Sequence, residues 1–371
     1  MPELGAFLRA LPRPEPSAGL EAYERELRAT LALSPRKRAN YEAYQRSKRR
    51  SAHVDYLPIK LDIENVSRCN FACTMCVVSR WPKGQRAHDM SLDEFKRIID
   101  EQYGLVEIKL NGLGEALMQG DTYFEMIKYA RSKRIWVRMT TNASLLHLNE
   151  NHKKLIDSGV NEIDISVDGP DKQSFEDIRR QSTFEHVVRN CKLLNDYASS
   201  LGIIRTKMWT LVQEGNYKRL PELVDVAAKM GFAHFICSLN LHGWGDPELE
   251  ARNKAVTVEK RLDPDHLMGL VRQGESLGVK VRFWSVADKF ETTAPETLCP
   301  WPFERAVITS DSRTVSCCMI GDPDAFEIGR SGGKGFSELW KGFEYAAFRQ
   351  AHIEGNIPDV CKACYRTGGN Q

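Results

Sequence analysis

The sequence predicts an α/β fold: a parallel sheet closed or nearly closed by outer helices, built from six strand–helix units. Three observations predict it. From about Tyr56, short apolar or alternating runs recur between longer amphipathic stretches. The junctions carry helix-start and turn chemistry, as in the capping box Ser91-Leu-Asp-Glu94 and the turn Asp168-Gly169-Pro170. The length of 371 residues gives room for one large domain and a smaller one. Six units are fewer than the eight of a full barrel.

The elements follow in order. Residues 1–53 read as a helical N-terminal extension, with Ser34 as N-cap and Pro35 at the first helical position. The stretch 36–50 carries Lys37, Arg38, Arg46, Lys48, Arg49 and Arg50. It reads as a solvated helix face. A sharper reading, a docking site for an anionic substrate or a reductase, is diluted by Glu21, Glu24 and Glu26. The barrel takes residues 54–285. Its strands fall at 59–66, 106–110, 136–141, 163–167, 203–212 and 235–239. Helices fall between them, the first opening at the capping box and ending at Gly104. Residues 286–371 form a small C-terminal domain.

Strand parity describes the inside of the barrel. Lys109 and Asn111 share one face of the second strand. Arg138, Thr140 and Asn142 share one face of the third, and Glu162, Asp164, Ser166 and Asp168 one face of the fourth. His234, Ser238 and Asn240 do so in the sixth. The opposite faces are Ile, Leu, Val and Met, suited to packing under helices. A full barrel fills its centre with branched apolar side chains, so this polar lining argues for a polar ligand inside.

Hydrophobic content of 42%, charged content of 27% and a formal net charge of +2 fit a globular protein with no global field for nucleic acid or membrane. No apolar run approaches a bilayer span, and the start lacks a basic then apolar leader pattern. A cytoplasmic location is expected, where ten cysteines read as metal ligands rather than disulfides.

Cys69, Cys73 and Cys76 stand as C-x3-C-x2-C directly after the first strand. They offer three thiolates and no fourth. A structural zinc site or a ferredoxin-type cluster takes four protein ligands, so a four-iron cluster here would keep one iron open. Three loop cysteines, or a zinc site completed by a distant histidine, are the other readings. Cys299, Cys317, Cys361 and Cys364 form a later set of four, for which zinc is the generic reading. Cys191 and Cys237 fall on apolar faces and read as core thiols.

The first motif resembles the signature of the radical SAM superfamily, and the resemblance covers roughly residues 56–371. It implies a partial (β/α)6 barrel and a 4Fe–4S cluster on Cys69, Cys73 and Cys76, whose open iron chelates S-adenosylmethionine (AdoMet). It implies reductive cleavage to a 5′-deoxyadenosyl radical that abstracts a hydrogen atom, with flavodoxin or ferredoxin as reductant. Asn111-Gly-Leu-Gly-Glu115 resembles the family's Gly-Gly-Glu motif, with Leu113 departing from it. Gly114 and Glu115 would then hold the methionine amino group. Met75 would lie against the adenine, and Ser166 and Asp168 at the ribose. Thr140 and Asn142 would reach the cofactor or substrate, and Arg179 the methionine carboxylate. The later cysteines resemble the shortened SPASM domain called twitch, which implies one auxiliary 4Fe–4S cluster.

The reading that follows is an oxidoreductase acting on a small hydroxyl-rich molecule, a sugar or aminocyclitol. It turns an alcohol into a ketone with the auxiliary cluster as electron acceptor. Cys318 either replaces Cys317 as a ligand of the auxiliary cluster or lies near the substrate, where it is the candidate hydrogen donor if the outcome is epimerisation. His242 or Asp246, in the loop after the sixth strand, is the candidate general base. A peptide substrate is a lesser expectation, because residues 1–53 carry no clear peptide-binding winged helix. The non-enzyme alternative is an iron–sulfur or zinc scaffold.

Overall fold

The computed structural model describes residues 2–82, 84–86, 88–258, 261–286, 289–331 and 335–366. One sheet holds ten strands: β1 (Lys60–Ile63), β2 (Glu107–Leu110), β3 (Trp136–Thr141), β4 (Glu162–Ser166), β5 (Thr206–Leu211), β6 (His234–Ser238), β7 (Lys280–Trp284), β8 (Arg305–Ile308), β9 (Arg313–Val315) and β10 (Gly329–Arg330). Their spatial order is β10-β9-β8-β1-β2-β3-β4-β5-β6-β7. The run from β8 to β7 is parallel; β9 and β10 are antiparallel. The barrel is therefore open, with β10 and β7 at its two edges.

All six expected strands are present, and the sheet extends past them on both sides. β7 follows the helix Pro264–Ser276. Its sequence Lys-Val-Arg-Phe-Trp alternates as a strand should, and Gly278 (φ +72°) turns the chain into it. β8, which lies in the C-terminal domain, pairs in parallel with β1 from Lys60↔Arg305 to Ile63↔Ile308. The division at 285/286 therefore runs through the middle of a continuous sheet. Outer helices cover the apolar faces. The helix Leu92–Glu101 starts at the expected capping box, with Ser91 Oγ accepting from Glu94 N–H (3.2 Å) and Glu94 Oε2 from Ser91 N–H (2.7 Å). Cys191 and Cys237 are fully buried in the core. Among the described residues no helix is long and apolar enough to cross a membrane.

The polar strand faces meet inside the sheet, and there the structure changes the meaning of the lining. Arg138 lies 3.6–3.7 Å from Glu107, Glu162 and Asp164. Lys207 pairs with Glu162, and Arg305 with Glu107 and Asp62. Most of the interior is a self-compensated ionic layer rather than a vacancy for a ligand.

The N-terminal extension closes this layer from below. It is three helices, Pro2–Ala10, Leu20–Leu33 and Pro35–Ser47. Glu15 O accepts from Lys207 Nζ (3.0 Å), and Ser17 O lies 3.1 Å from His234 Nε2. Pro12 O takes the Phe283 N–H (2.8 Å) on edge strand β7. Tyr23 donates to Glu107 Oε2 (2.9 Å). Tyr23→Phe is expected to lower the unfolding free energy by about 1.5–3 kcal/mol, the worth of a hydrogen bond to a charged group, read as a lower urea midpoint.

The basic stretch 36–50 is not a uniformly solvated face. Lys37 is buried, donating to Thr30 Oγ1 (3.4 Å) and Lys133 O (3.3 Å), and burial pushes its ammonium down to about 8. Arg49 donates to Glu296 O (3.0 Å) and Leu298 O (2.7 Å), so this basic end docks onto the loop that leads into Cys299.

Candidate active site

A cavity of about 280 Å³ opens at the C-terminal ends of β1 to β4 and is walled on one side by β8 and the turn after β9. That is where parallel α/β sheets present their ligand sites. Cys69, Cys73 and Cys76 line it, together with Met75, Gly114, Glu115, Thr140, Asn142, Ser166 and Arg179.

Local chemistry fixes these positions. The loop of the three cysteines is held by a two-residue ladder, Ala72–Cys73 against Arg179–Arg180. Burial pushes the Cys69 and Cys76 thiols up to about 12 and raises Cys73 as well. Such thiols keep their protons at neutral pH unless a metal replaces them. Cys69 accepts from Phe71 N–H (3.4 Å) and Asn142 Nδ2 (3.8 Å). Arg179 Nη1 lies 3.9 Å from Cys73 Sγ, a fixed positive charge beside a prospective thiolate.

Glu115 ties the ends of β2 and β3 together. Its Oε1 accepts from Thr141 Oγ1 (2.7 Å) and Leu117 N–H (3.3 Å), and its Oε2 from Asn142 N–H (2.8 Å). A carboxylate offers about four acceptor sites, which leaves one for a ligand ammonium. Gly114 is required by close packing: a Cβ there would stand 2.4 Å from the Arg68 carbonyl oxygen. At Gly112 it would stand 2.2 Å from Glu64 Cγ.

Three expected residues stand elsewhere. Asp168 is fully buried outside the cavity lining, where it accepts from Leu211 N–H (2.7 Å) and pairs with Arg179 Nη2 (2.7 Å). It braces β4 against β5 and holds Arg179. Asp246 caps the helix Pro247–Val256, accepting from Leu249 N–H (2.8 Å) and pairing with Arg80 (3.3 Å). His242 is also outside the lining, and burial lowers its imidazole to about 4, so it is neutral at physiological pH. Their loop contributes Trp244 instead. Trp244 reaches the cavity beside Gly321, where a Cβ would meet Trp244 at 2.9 Å and Leu113 at 3.0 Å.

Asp62, Glu64, Lys109 and Thr309 also line the cavity; of these, sequence reasoning placed only Lys109 on the inward polar face and gave the others no site role. Glu64 joins the two halves of the wall. Its Oε1 accepts from Leu113 N–H (3.2 Å), and its Oε2 from Ser310 N–H (3.1 Å) and Oγ (3.2 Å). Arg86 pairs with the same carboxylate. The parity of β1 and β2, read with the pairing of β8, was the available signal.

The later cysteines gather behind this wall. Cys317 lies within electrostatic reach of Cys299 and Cys361, and Cys299 within reach of Cys361 and Cys364. Burial raises all four, Cys361 to about 12 and Cys364 to about 11. Cys318 lines the cavity within reach of Asp62 and Lys109, and it also lies within reach of Cys317 and Cys364. Among the described residues no three His, Cys, Asp or Glu side chains are drawn into a closed metal cage. The donor sets fit iron–sulfur chemistry by composition: three thiols lining the cavity, and a later set of four.

The family models agree with both sets. The radical SAM superfamily model matches residues 65–227, and the SPASM iron–sulfur cluster-binding domain matches residues 299–365. The chain carries a radical SAM domain and, after it, a SPASM iron–sulfur domain. Its cofactors are AdoMet, a 4Fe–4S cluster and an auxiliary iron–sulfur cluster.

This radical SAM chain is similar to mycofactocin maturase MftC of Mycolicibacterium smegmatis, with 29% identity over 189 residues, 51% of this chain and 46% of MftC. It thus spans about half the length of the first curated relatives it matches. Its fold is similar to that of SuiB of Streptococcus suis bound to precursor peptide SuiA, with TM-score 0.60 and 15% identity, covering 80% of this chain and 67% of SuiB. It is also similar to anSMEcpe with bound AdoMet, with TM-score 0.56 and 17% identity, covering 83% and 88%.

Proposed function

We propose that this protein is a radical SAM oxidoreductase that takes a hydrogen atom from a small hydroxyl-rich molecule, a sugar or aminocyclitol, and oxidises an alcohol to a ketone. The observation that carries this reading is the shared cavity: Cys69, Cys73 and Cys76 line one side and Cys318 the other, with Cys317 turned to the later cysteines. When loaded, AdoMet reduced by the first cluster would supply the 5′-deoxyadenosyl radical that takes the hydrogen atom, the second cluster would take the second electron, and the hydroxyl proton would leave to a basic group of the lining or to water.

The chain's own residues divide the work. Cys69, Cys73 and Cys76 hold the first cluster, and Cys299, Cys317, Cys361 and Cys364 the second. Glu115 offers its remaining acceptor to the methionine ammonium, and Ser166 a hydroxyl to the ribose. Gly114 keeps the backbone close and Met75 packs against the adenine. Asn142 and Arg179 steady Cys69 and Cys73. Trp244 and Leu113 roof the cavity and exclude water from a reactive carbon radical. The cavity volume suits a small molecule. A flavodoxin or ferredoxin would be the reductant.

Peptide maturation is the second reading, favoured by the likeness to a maturase over 189 residues. Anaerobic reconstitution with dithionite and AdoMet tests the chemistry. Release of 5′-deoxyadenosine is expected, and stoichiometric zinc with iron near zero would overturn it. Product mass then divides the outcomes. Loss of two hydrogens from a small molecule supports dehydrogenation. Unchanged mass in H2O, with one deuterium at the reacting carbon in D2O, means epimerisation with Cys318 as donor. A modified peptide means maturation.

A further inference from the structure

Three adjacent strands present one rung to the cavity. Val307, Asp62 and Lys109 are register partners on β8, β1 and β2, and all three line it. Neighbouring strands stand about 4.8 Å apart, so the side chains of Asp62 and Lys109 emerge side by side. Below this rung Arg138, Lys207 and Arg305 are consumed by Glu107, Glu162 and Asp164.

Lys109 differs from those cations. Among the described residues it makes no ion pair and donates no hydrogen bond. Asp62 does not close on it, because Arg305 already approaches Asp62 Oδ1 from the other neighbouring strand, at 3.6 Å. That contact leaves Oδ1 buried without a hydrogen-bond donor. The rung therefore offers a bound molecule three N–H donors on a cation and, one strand away, an unfilled carboxylate oxygen.

We propose that Lys109 and Asp62 form the substrate-recognition pair: Lys109 takes a carboxylate or phosphate group, and Asp62 accepts from a hydroxyl or amino group beside it. The proposal rests on the small-molecule reading above and narrows it to an anionic substrate, of the sugar-acid or sugar-phosphate kind. A neutral polyol would leave the ammonium to water. An oxyanion replaces that water with charge-assisted hydrogen bonds, which are stronger than neutral ones. Asp62 restricts the choice further, because an anion without a neighbouring donor would face its carboxylate.

The test uses reconstituted, AdoMet-loaded holoenzyme and three probes: D-gluconate, D-glucose 6-phosphate and neutral D-glucose, with affinities measured by calorimetry. One of the two anionic probes is expected to bind on the order of tenfold more tightly than glucose, and which one it is separates carboxylate from phosphate. Lys109→Met should erase the preference, and Lys109→Arg should keep most of it. The proposal is overturned if neither anion binds more tightly than glucose, a result that needs no variant. It is also overturned if the preference survives Lys109→Met. Release of 5′-deoxyadenosine by the wild-type protein reports on the radical chemistry alone. No preference for either anion in the wild-type protein, with that release intact, removes this proposal and leaves the functional reading standing.

Discussion

Replacing Cys317 by Ala is expected to lower the iron content of the reconstituted protein from about eight to about four per chain, one 4Fe–4S cluster of two. Release of 5′-deoxyadenosine should persist while the oxidised product disappears, because the abstraction step keeps its cluster and the second electron loses its acceptor. Cys318→Ala should keep about eight irons and, under the dehydrogenase reading, keep product formation. The contrast follows from the surroundings of these adjacent residues: Cys317 has Cys299 and Cys361 within reach and stands outside the cavity lining, whereas Cys318 lines the cavity. Iron and product counts together decide three questions. Iron lost from Cys318→Ala rather than Cys317→Ala would exchange the ligand assignment. Product lost from Cys318→Ala with iron intact would make Cys318 the hydrogen donor and turn the oxidoreductase into an epimerase.

Lys207→Met is expected to destabilise the fold by about 3–5 kcal/mol, the cost of leaving one member of a buried ion pair uncompensated. Lys207 and Glu162 are each less than 5% exposed at the side chain. Lys207 also donates to Glu15 O, so its loss removes one of the ties that hold the N-terminal extension under the sheet. Adding Glu162→Gln should recover part of the loss by removing the stranded charge, giving a coupling energy above about 1 kcal/mol in a double-mutant cycle. Urea midpoints of the two single variants and the double variant measure it. Simple additivity would show that the two charges do not depend on one another.

The cysteine motifs and the glycine–glutamate loop were legible because they are local: ligand spacing, a strand end and close backbone approach are written in consecutive residues. Strand parity also read correctly which side chains face inward. It did not say what they meet there. Arg138 and Lys207 face inward because Glu107, Glu162 and Asp164 do so from neighbouring strands, and that pairing depends on register across the sheet. The polar lining therefore suggested more ligand space than exists. His242 and Asp246 looked like a base in a substrate loop, yet Asp246 is a helix cap and Trp244 between them reaches the cavity. The capping use of Asp246 was readable from Asp246-Pro247, with Pro at the first helical position. The meeting of Asp62 with Lys109 and of Glu64 with Ser310 was not, because each joins strands or turns far apart in the chain.

The pairing of β8 with β1 bears on how such chains can be recombined. A chimera cut at 285/286 would import its own eighth strand, and every backbone partner from Lys60 to Ile63 would have to be matched by foreign residues. A mismatch of one residue would turn the new strand's inward side chains outward. A truncation at the same point would expose β1 as an unprotected edge, open to pairing with another chain. The iron–sulfur region behind the cavity is thus not a detachable cassette. Grafts that preserve this seam, exchanging only the turns beyond Ile308, are the ones that should yield soluble hybrids.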